Sequence, residues 1–360
     1  MAPVAATRWQ LKERSLSFSG TLIWILRIIV IIVVVWGSYA SLTERTYSAS
    51  QWQDLIIFGI SQGSVYALIA LGYTMVYGIL GFINFAHGEV FMSGAMIGFF
   101  AASALNDAGL WNSNPILSLL IVLLVAMTTS GLIAVMIERV AYRPLRGAPR
   151  LIPLITSIGA SFFLQYAFRG LFGAGIKSYP RMELLRGSVN VLGVAITRTQ
   201  LMVIVAAIIM MVALYLFVER TKTGRAIRAV AEDKEIAALM GIDVNRTVVI
   251  TFLVGGLMAG AAGLLYALVF NQVFFFTGFL PGIKAFTAAV LGGIGNIIGA
   301  MLGGLVLGLV ESMGPILILG GLGISSPHQL KDAVAFTVLV LVLIFRPTGL
   351  LGERLAEEKA

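Results

Sequence analysis

The sequence contains no cysteine and only two histidines among its 360 residues. A chain without cysteine can form neither a disulfide framework nor a thiolate metal site. Two histidines are also too few for most imidazole metal centres, and His87 and Glu89 have no further ligands close by in the sequence. No metal site is therefore predicted.

Charged residues are scarce as well, at 12% of the chain, whereas 59% of the residues are hydrophobic and the mean hydropathy is +0.96. This balance lies far from that of a soluble domain. The apolar residues form runs long enough to cross a bilayer as helices, so the predicted fold class is an all-α, polytopic membrane protein with about ten transmembrane helices. The net charge of +8 is explained better by basic loops between spans than by nucleic-acid binding.

The basic loops determine the predicted orientation. The N-terminus, residues 139–150 and the segment after residue 219 are basic, and counting the apolar runs between them places all three in the cytoplasm. The run at 284–318 exceeds the roughly 20 residues of one span, so it is predicted to turn back near residues 295–299. Both termini are then cytoplasmic, and the loop at 177–198 is external although it is also basic.

Three regions are expected along the chain. Residues 1–53 form an N-terminal cytoplasmic segment with an additional transmembrane helix, residues 54–352 form the main transmembrane domain, and residues 353–360 form a cytoplasmic tail. The first apolar run also resembles a signal peptide with a cleavage site at residues 38–40. An uncleaved first span is preferred because the run is long enough to cross a bilayer.

A polar segment at residues 219–247 interrupts the main transmembrane domain. Its interleaved acidic and basic side chains cannot lie in hydrocarbon. Thr223 is predicted to cap a helix that begins near Arg225 and stops at Gly241. Apolar residues at spacings of three and four give this helix one modest apolar face: Ile227, Val230, Ala231, Ala238 and Gly241. The segment is interpreted as a docking surface, with an ordinary solvated loop as the alternative.

A second polar interruption contains Asn84, His87 and Glu89, between the apolar runs 54–80 and 90–105. Glycines flank these residues, which suggests a helix break whose unwound backbone faces protein or a water-filled path. The three residues are hypothesised to line a translocation pathway. An aqueous turn at the membrane surface is the alternative.

Glycines recur every four residues in the C-terminal half. Small residues at that interval allow helices to approach closely, so helix packing is preferred to substrate contact. The packing residues predicted in this way are Gly256, Gly260, Gly295, Gly299 and Gly303. Residues 94–98 and 299–303 also resemble each other, which suggests an internal repeat with one half at 54–172 and the other at 200–346.

The sequence lacks the residue patterns of several catalysts. The phosphate-binding loop Gly-x-x-x-x-Gly-Lys-Ser/Thr is absent from the sequence. The most similar run, residues 278–284, has neither its spacing nor its hydroxyl. No Ser-His-Asp or paired-carboxylate arrangement is apparent, which leaves a membrane enzyme a distant possibility. Glu311 is the clearest carboxylate within an apolar run, and it is interpreted as a hydrogen-bonded member of a helix bundle. The scarcity of such groups counts against an ion-coupled carrier.

Four stretches together resemble the branched-chain amino acid ABC transporter permeases of the LivH type. Residues 63–78 read GSVYALIALGYTMVYG and lead into INFAHGE at 83–89. Gly224, Arg225 and Ala226 with residues 231–233 and 240–242 are similar to the cytoplasmic coupling segment of that family. Residues 284–295, KAFTAAVLGGIG, and 345–350, FRPTGL, match two further blocks.

The resemblance implies a non-enzymatic subunit of a bacterial inner-membrane importer for leucine, isoleucine or valine. It implies pairing with a second, homologous permease, two cytoplasmic ATPases that bind ATP and Mg, and an extracytoplasmic binding protein; no cofactor is expected on this chain. The coupling residues implied are Arg225, Arg228, Glu232, Asp233 and Gly241. The alternatives left open are an ion-coupled secondary carrier and an ABC permease for urea or short amides.

Two features depart from the family pattern. The N-terminal extension with its additional apolar run lies outside the resemblance. The coupling segment also lacks the strict Glu-Ala-Ala spacing to glycine found in many ABC importers, because residues 236–238 read Ile-Ala-Ala before Met240 and Gly241. The residues that contact an ATPase therefore remain open at this point.

Overall fold

The structure is a computed structural model that describes residues 18–43, 47–149, 151–191, 193–346 and 348–352. Within these ranges nine helices are long and apolar enough to cross a membrane, and a shorter apolar helix spans Phe279–Gly292. The prediction of an all-α, polytopic membrane protein is confirmed. These nine helices of the described chain are close to the estimate of about ten from sequence, and the shorter helix, of 14 residues, does not reach the length of one span.

The first part of the chain contains six helices. They are α1 (Phe18–Thr43), α2 (Ala49–Leu80), α3 (His87–Asp107), the single turn α4 (Leu110–Ser113), α5 (Pro115–Ile137) and α6 (Leu151–Phe172). A π-helical turn, Glu138–Tyr142, and a 3₁₀ turn, Arg143–Leu145, extend α5.

The second part contains seven helices. They are α7 (Arg198–Arg220), α8 (Lys222–Glu232), α9 (Lys234–Leu239), α10 (Val244–Phe270), α11 (Phe279–Gly292), α12 (Ile297–Gly314) and α13 (Lys331–Phe345). A π-helical segment, Pro315–Gly320, continues α12, and a 3₁₀ turn, Pro327–Leu330, precedes α13.

Short strands lie in the two connections after α6 and α10. β1 (Lys177–Ser178) pairs antiparallel with β4 (Gln272–Val273), and β2 (Ser188–Val191) pairs antiparallel with β3 (Val194–Thr197). A 3₁₀ turn, Glu183–Leu185, lies between β1 and β2. The hydroxyl of Tyr179 donates to the carbonyl oxygen of Ala95 at 2.6 Å. Burial raises the pKa of Tyr179, which keeps this hydroxyl protonated as a donor.

The chain divides into two units. Of the described residues, one unit contains residues 18–43 with Ile316–Pro327, and the other contains those from Tyr47 to Pro315 and from His328 to Gly352. In the first unit α1 packs on the segment after Pro315: the hydroxyl of Ser41 donates to the carbonyl oxygen of Ile316 at 3.2 Å. Most of the large apolar side chains of α1 are exposed. The extension before α1, residues 1–17, and the tail, 353–360, lie outside the described residues.

In the second unit α2, α10 and α12 form the core. Every residue of α2 from 61 to 76 is buried, so this helix is surrounded by protein on all sides. Glycines allow α12 to approach it: a Cβ placed on Gly63 would lie 2.9 Å from the carbonyl oxygen of Gly304. In contrast, α6 and α7 have large apolar side chains exposed along their length and lie at the periphery of this unit.

Four of the five glycines predicted to pack helices lie at close contacts between helices. Gly256 and Gly260 of α10 meet the backbone of α5, and Gly299 and Gly303 of α12 meet the backbone of α11. Gly295 differs, and its prediction was wrong. It lies in the connection before α12, has a φ of 96°, and a Cβ at this position would meet no atom within 4 Å. Its left-handed backbone, rather than a helix contact, accounts for the glycine.

The turn that divides the long apolar run lies at residues 293–296, slightly earlier than the predicted 295–299. Asn296 caps α12 by accepting from the backbone N–H of Gly299 at 2.8 Å. The C-terminal segment closes this turn, because the N–H groups of Leu350 and Leu351 donate to the carbonyl oxygens of Leu291 and Gly292 at 2.8 and 3.0 Å.

Candidate functional site

The connection between α2 and α3 is a buried helix break. α2 ends at Gly81, whose φ of 73° terminates the helix in the left-handed conformation. The side-chain oxygen of Asn84 accepts from the N–H of Ala86 at 3.1 Å and from the hydroxyl of Tyr142 at 2.5 Å. Asn84 is buried, and these two bonds hold the unwound backbone in place.

α3 begins well inside the length of α2. A Cβ placed on Gly72 would collide with the imidazole of His87, and the ring of Tyr73 lies 4.8 Å from that of His87. Gly72 precedes the last residue of α2, Leu80, by eight positions, which is about 12 Å along the helix. This depth favours the broken helix over the alternative of an aqueous surface turn.

Glu89, in the first turn of α3, is only 1% exposed. Its Oε1 accepts from the side-chain amide of Gln165 at 2.7 Å and from the hydroxyl of Ser161 at 3.3 Å, both on α6. Among the described residues, Oε2 has no hydrogen-bond partner. The carboxylate is thus bound on one side only.

A cavity of about 60 Å³ lies beside Glu89. It is bounded by the beginnings of α3 and α11, which approach so closely that a Cβ on Gly88 would lie 2.6 Å from the carbonyl oxygen of Gly278. Aromatic and aliphatic side chains form most of the remaining wall: Tyr73, Phe85, Ile158, Phe162, Phe279 and Ile283. The structure therefore brings Asn84, His87 and Glu89 to one buried region, and Glu89 is the one of the three that lines the cavity.

A second buried polar network joins α2, α11, α12 and α13. Nζ of Lys284 donates to Oε1 of Glu311 at 2.6 Å and to Oδ1 of Asp332 at 2.5 Å. The side-chain amide of Gln62 donates to Glu311 at 3.1 Å and to the hydroxyl of Tyr66 at 2.6 Å. Glu311 is hydrogen-bonded within the bundle, as predicted. The sequence interpretation missed its ion pair with Lys284, although Lys284 was visible as a charge inside an apolar run.

The polar segment after α7 folds as two helices rather than one. Thr221, not Thr223, caps α8 by accepting from the N–H of Gly224 at 3.0 Å. The helix predicted to continue to residue 240 is interrupted at Asp233. The carboxylate of Asp233 accepts from the N–H groups of Glu235 and Ile236 at 2.8 and 2.9 Å and begins α9. Gly241 has a φ of 83° and ends the segment as predicted.

The predicted apolar face is only partly buried. Ile227 and Val230 are buried, whereas Ala231, Ala238 and Gly241 are exposed. The interruption at Asp233 explains the exposure of Ala238 and Gly241, because it ends the helical spacing on which the prediction depended; Ala231 lies before the interruption, in the last turn of α8.

The five predicted coupling residues lie on this segment in different environments. Arg225, Glu232 and Gly241 are exposed, while Arg228 forms an ion pair with Glu219 and Asp233 caps α9. The sequence interpretation missed three apolar side chains that are largely exposed: Ile236 at 60%, Leu239 at 86% and Met240 at 78%. Their signal was present, since they are large apolar residues in an otherwise charged stretch.

Comparison with known proteins assigns the family. Residues 55–343 match the family described as branched-chain amino acid transport system / permease component. The chain belongs to this family. The match covers most of α2, every helix from α3 to α12 and most of α13, and it includes the helix break, the Glu89 cavity and the polar segment. The part of the chain that contains α1 lies outside it.

Two relatives illustrate the similarity. The high-affinity branched-chain amino acid transport system permease protein BraD of Pseudomonas aeruginosa is 46% identical over 300 residues, which cover 82% of this chain and 94% of the relative. The corresponding protein LivH of Salmonella typhimurium is 42% identical over 303 residues, covering 82% and 93%. Among solved structures, PsaBC from Streptococcus pneumoniae in complex with Fab aligns over 86% of this chain and 96% of that chain, with a TM-score of 0.39 and 13% identity.

Proposed function

We propose that this chain is the LivH-type transmembrane permease subunit of an ABC importer for leucine, isoleucine and valine. The observation that carries the proposal is the identity of 42–46% to two permeases named for branched-chain amino acid transport, over more than nine-tenths of their length. Substrate would cross by alternating access, and the chain itself would catalyse no reaction.

The proposed assembly contains a second, homologous permease, two cytoplasmic ATPases and an extracytoplasmic substrate-binding protein. The sequence has no phosphate-binding loop with which to bind a nucleotide, and this supports separate ATPases. ATP and Mg would be bound by those subunits. The relatives are named as permease proteins of transport systems, which agrees with a multi-component assembly.

The α8–α9 segment is the proposed docking surface for an ATPase. Leu239 and Met240 extend from the end of α9 with 86% and 78% of their surface exposed. Large apolar side chains of this kind, surrounded by charged residues, are typical of a contact with another protein. Arg225 and Glu232 are exposed on the preceding helix and would contribute polar contacts at the rim.

The proposed location is the bacterial cytoplasmic membrane, with both termini in the cytoplasm. The support for this orientation is the distribution of basic residues along the chain. Arg139, Arg143 and Arg146 after α5 and the basic residues of α8 would lie on the cytoplasmic side, in agreement with the positive-inside rule.

The two alternative functions have less support. The buried charges of Lys284 and Glu311 are paired with each other, and Lys284 also contacts the partly exposed Asp332, which removes this pair from the ionisable groups that a secondary carrier would use to couple an ion. A permease for urea or short amides would share the assembly and differ in substrate.

Co-purification tests the proposed assembly. The chain carries an affinity tag and is produced with the candidate second permease and both ATPases. We expect a stable complex whose rate of ATP hydrolysis rises when leucine-loaded binding protein is added. Purification of the chain without the other subunits, with transport retained, would reject the assembly and favour a stand-alone carrier.

A further inference from the structure

Three carboxylates of the described helices are almost fully buried, those of Glu89, Glu138 and Glu311, and they differ in their compensation. Glu138 is paired with Arg146. Glu311 lies 2.6 Å from the ammonium group of Lys284, so its charge is neutralised within the chain. Glu89 receives hydrogen bonds only from the neutral groups of Gln165 and Ser161, and no salt bridge to it occurs among the described residues. The side chains of Glu311 and Glu89 are both only 1% exposed.

An uncompensated carboxylate is costly at this position. Charged groups inside a membrane protein are retained where they meet a partner or mark a pathway for a substrate or an ion. Oε2 of Glu89 has no partner in the described chain, and the residue lines the cavity between α3, α6 and α11. The missing partner is therefore expected to be a cation that enters this cavity.

The cavity is large enough for a small cationic group. Its volume of about 60 Å³ exceeds the roughly 10–15 Å³ that a single water molecule needs on the same kind of measure, so an ammonium group fits beside Glu89. Ile158 and Phe162 form part of the wall and are also 40% and 47% exposed, so they mark where the cavity meets the surface of the chain. An aliphatic side chain could lie along these residues while the ammonium group reaches Glu89.

We propose that Glu89 binds the ammonium group of the amino acid as it crosses the permease, in the cavity formed by α3, α6 and α11. This inference rests on the proposed import function and adds a site for substrate recognition within the membrane domain. Gln165 and Ser161 orient the carboxylate through Oε1 and leave Oε2 for a charge-assisted hydrogen bond with the ammonium group. The permease would thereby select amino acids over carboxylic acids of the same shape that lack the ammonium group.

The test uses the complete transporter reconstituted in vesicles, with Glu89→Gln as the main variant. Gln keeps the shape and the hydrogen bond from Gln165 but removes the charge. We expect the initial rate of leucine uptake to fall about tenfold or more, with assembly unchanged. Asp107→Asn, which makes the same chemical change at the exposed end of α3, is the matched control and should transport at the wild-type rate.

A second pair of variants covers the case in which Glu89→Gln does not assemble. The side chains introduced by Glu89→Asp and Glu89→Asn differ from each other mainly in charge. Each is one methylene shorter than the corresponding Glu or Gln side chain. We expect Asp to retain more uptake than Asn. Equal uptake by Asp and Asn, or wild-type uptake by Glu89→Gln, would overturn the proposal and make Glu89 a neutral, structural acid.

Two further outcomes distinguish substrate binding at Glu89 from ion coupling and from failure of the import function. If uptake by the wild-type transporter requires sodium, and Glu89→Gln removes the sodium dependence, the cation at Glu89 is a coupling ion and the proposal fails. If the wild-type transporter shows no ATP-dependent uptake at all, the import function itself fails. Normal wild-type uptake together with an unaffected Glu89→Gln variant rejects only the role of Glu89.

Discussion

Lys284 lies between two carboxylates in the interior of the second unit. Its side chain is 6% exposed, and it contacts Glu311 on α12 and Asp332 on α13 from its own position on α11. A single ammonium group therefore connects three helices. The geometry is good enough for direct bonds of 2.5 and 2.6 Å, which offsets part of the cost of removing the charges from water.

Removal of this ammonium group should destabilise the protein. In Lys284→Met, Glu311 would remain buried without a cation, and breaking a buried pair in this way costs about 3–5 kcal/mol. We expect the midpoint of thermal unfolding in detergent to fall clearly. The double variant Lys284→Met, Glu311→Gln should recover part of the loss, because it removes the uncompensated carboxylate as well.

Lys331→Met is the control for this experiment. Lys331 is the first residue of α13, next to Asp332, and it is only partly buried. The same substitution there removes one positive charge and makes the same change in side-chain size. A fall in the unfolding midpoint that is no larger for Lys284→Met than for Lys331→Met would contradict a stabilising role for the buried pair.

The sequence predicted that Glu311 is hydrogen-bonded in the bundle, but it did not predict its partner. Glu311 was recognised because a carboxylate in an apolar run must be hydrogen-bonded. Its partner Lys284 lies 27 positions earlier, on the other side of the turn at 293–296, and spacing along one helix cannot bring such a pair together. The compensation of Glu311, and its absence at Glu89, required the three-dimensional arrangement.

The contact between α5 and α10 depends on glycine. A Cβ placed on Gly260 would collide with the carbonyl oxygen of Ala126 and lie 2.8 Å from the Cα of Met127. These are backbone atoms of α5, so the helices would have to separate to accommodate a methyl group. In a bilayer, close packing of this kind is a main source of helix association.

Gly260→Ala is therefore expected to destabilise the protein by about 1–3 kcal/mol, the usual cost of overpacking. The matched control is Gly159→Ala on α6, where a Cβ would meet no atom within 4 Å. Alanine is the better helix former, so that variant should be neutral or stabilised by up to about 1 kcal/mol. Thermal unfolding of both variants in detergent measures the difference. Equal midpoints would show that this contact contributes little.

The end of α9 should determine whether an ATPase binds. In Leu239→Ser the apolar side chain with the highest exposed fraction in the segment becomes polar, and we expect the affinity for the ATPase to fall about tenfold or more, as for a central contact residue. Thermal stability of the permease should not change, because the side chain is 86% exposed. Glu235→Gln on the same helix, at an exposed position of different chemistry, should bind as the wild type does.

Binding of purified ATPase to the two variants, measured by titration, checks this expectation. An unchanged affinity of Leu239→Ser would exclude the end of α9 from the docking surface. The exposed apolar residues at the end of α9 were not identified from sequence, because hydrophobic periodicity is used to predict buried helix faces. Leu239 and Met240 follow the interruption at Asp233, and they are exposed in this chain.

For the molecule as a whole, most of the architecture could be predicted from the apolar runs. The helical class, the approximate number of spans, and the turns after Leu80 and near Gly293 follow from run length, glycine and polar residues. The depth of the first turn could not be predicted, because only the contact of Gly72 with His87 shows how far the chain re-enters. The internal repeat stays a prediction.

The measurement that tests the proposed import function most directly is uptake of leucine into vesicles that contain the full assembly. The permease, its partner permease, both ATPases and the binding protein are reconstituted together, and each is omitted in turn. We predict ATP-dependent uptake that requires every component, is inhibited by isoleucine and valine, and is indifferent to urea. Uptake by this chain alone, driven by an ion gradient and independent of ATP, would contradict the import function.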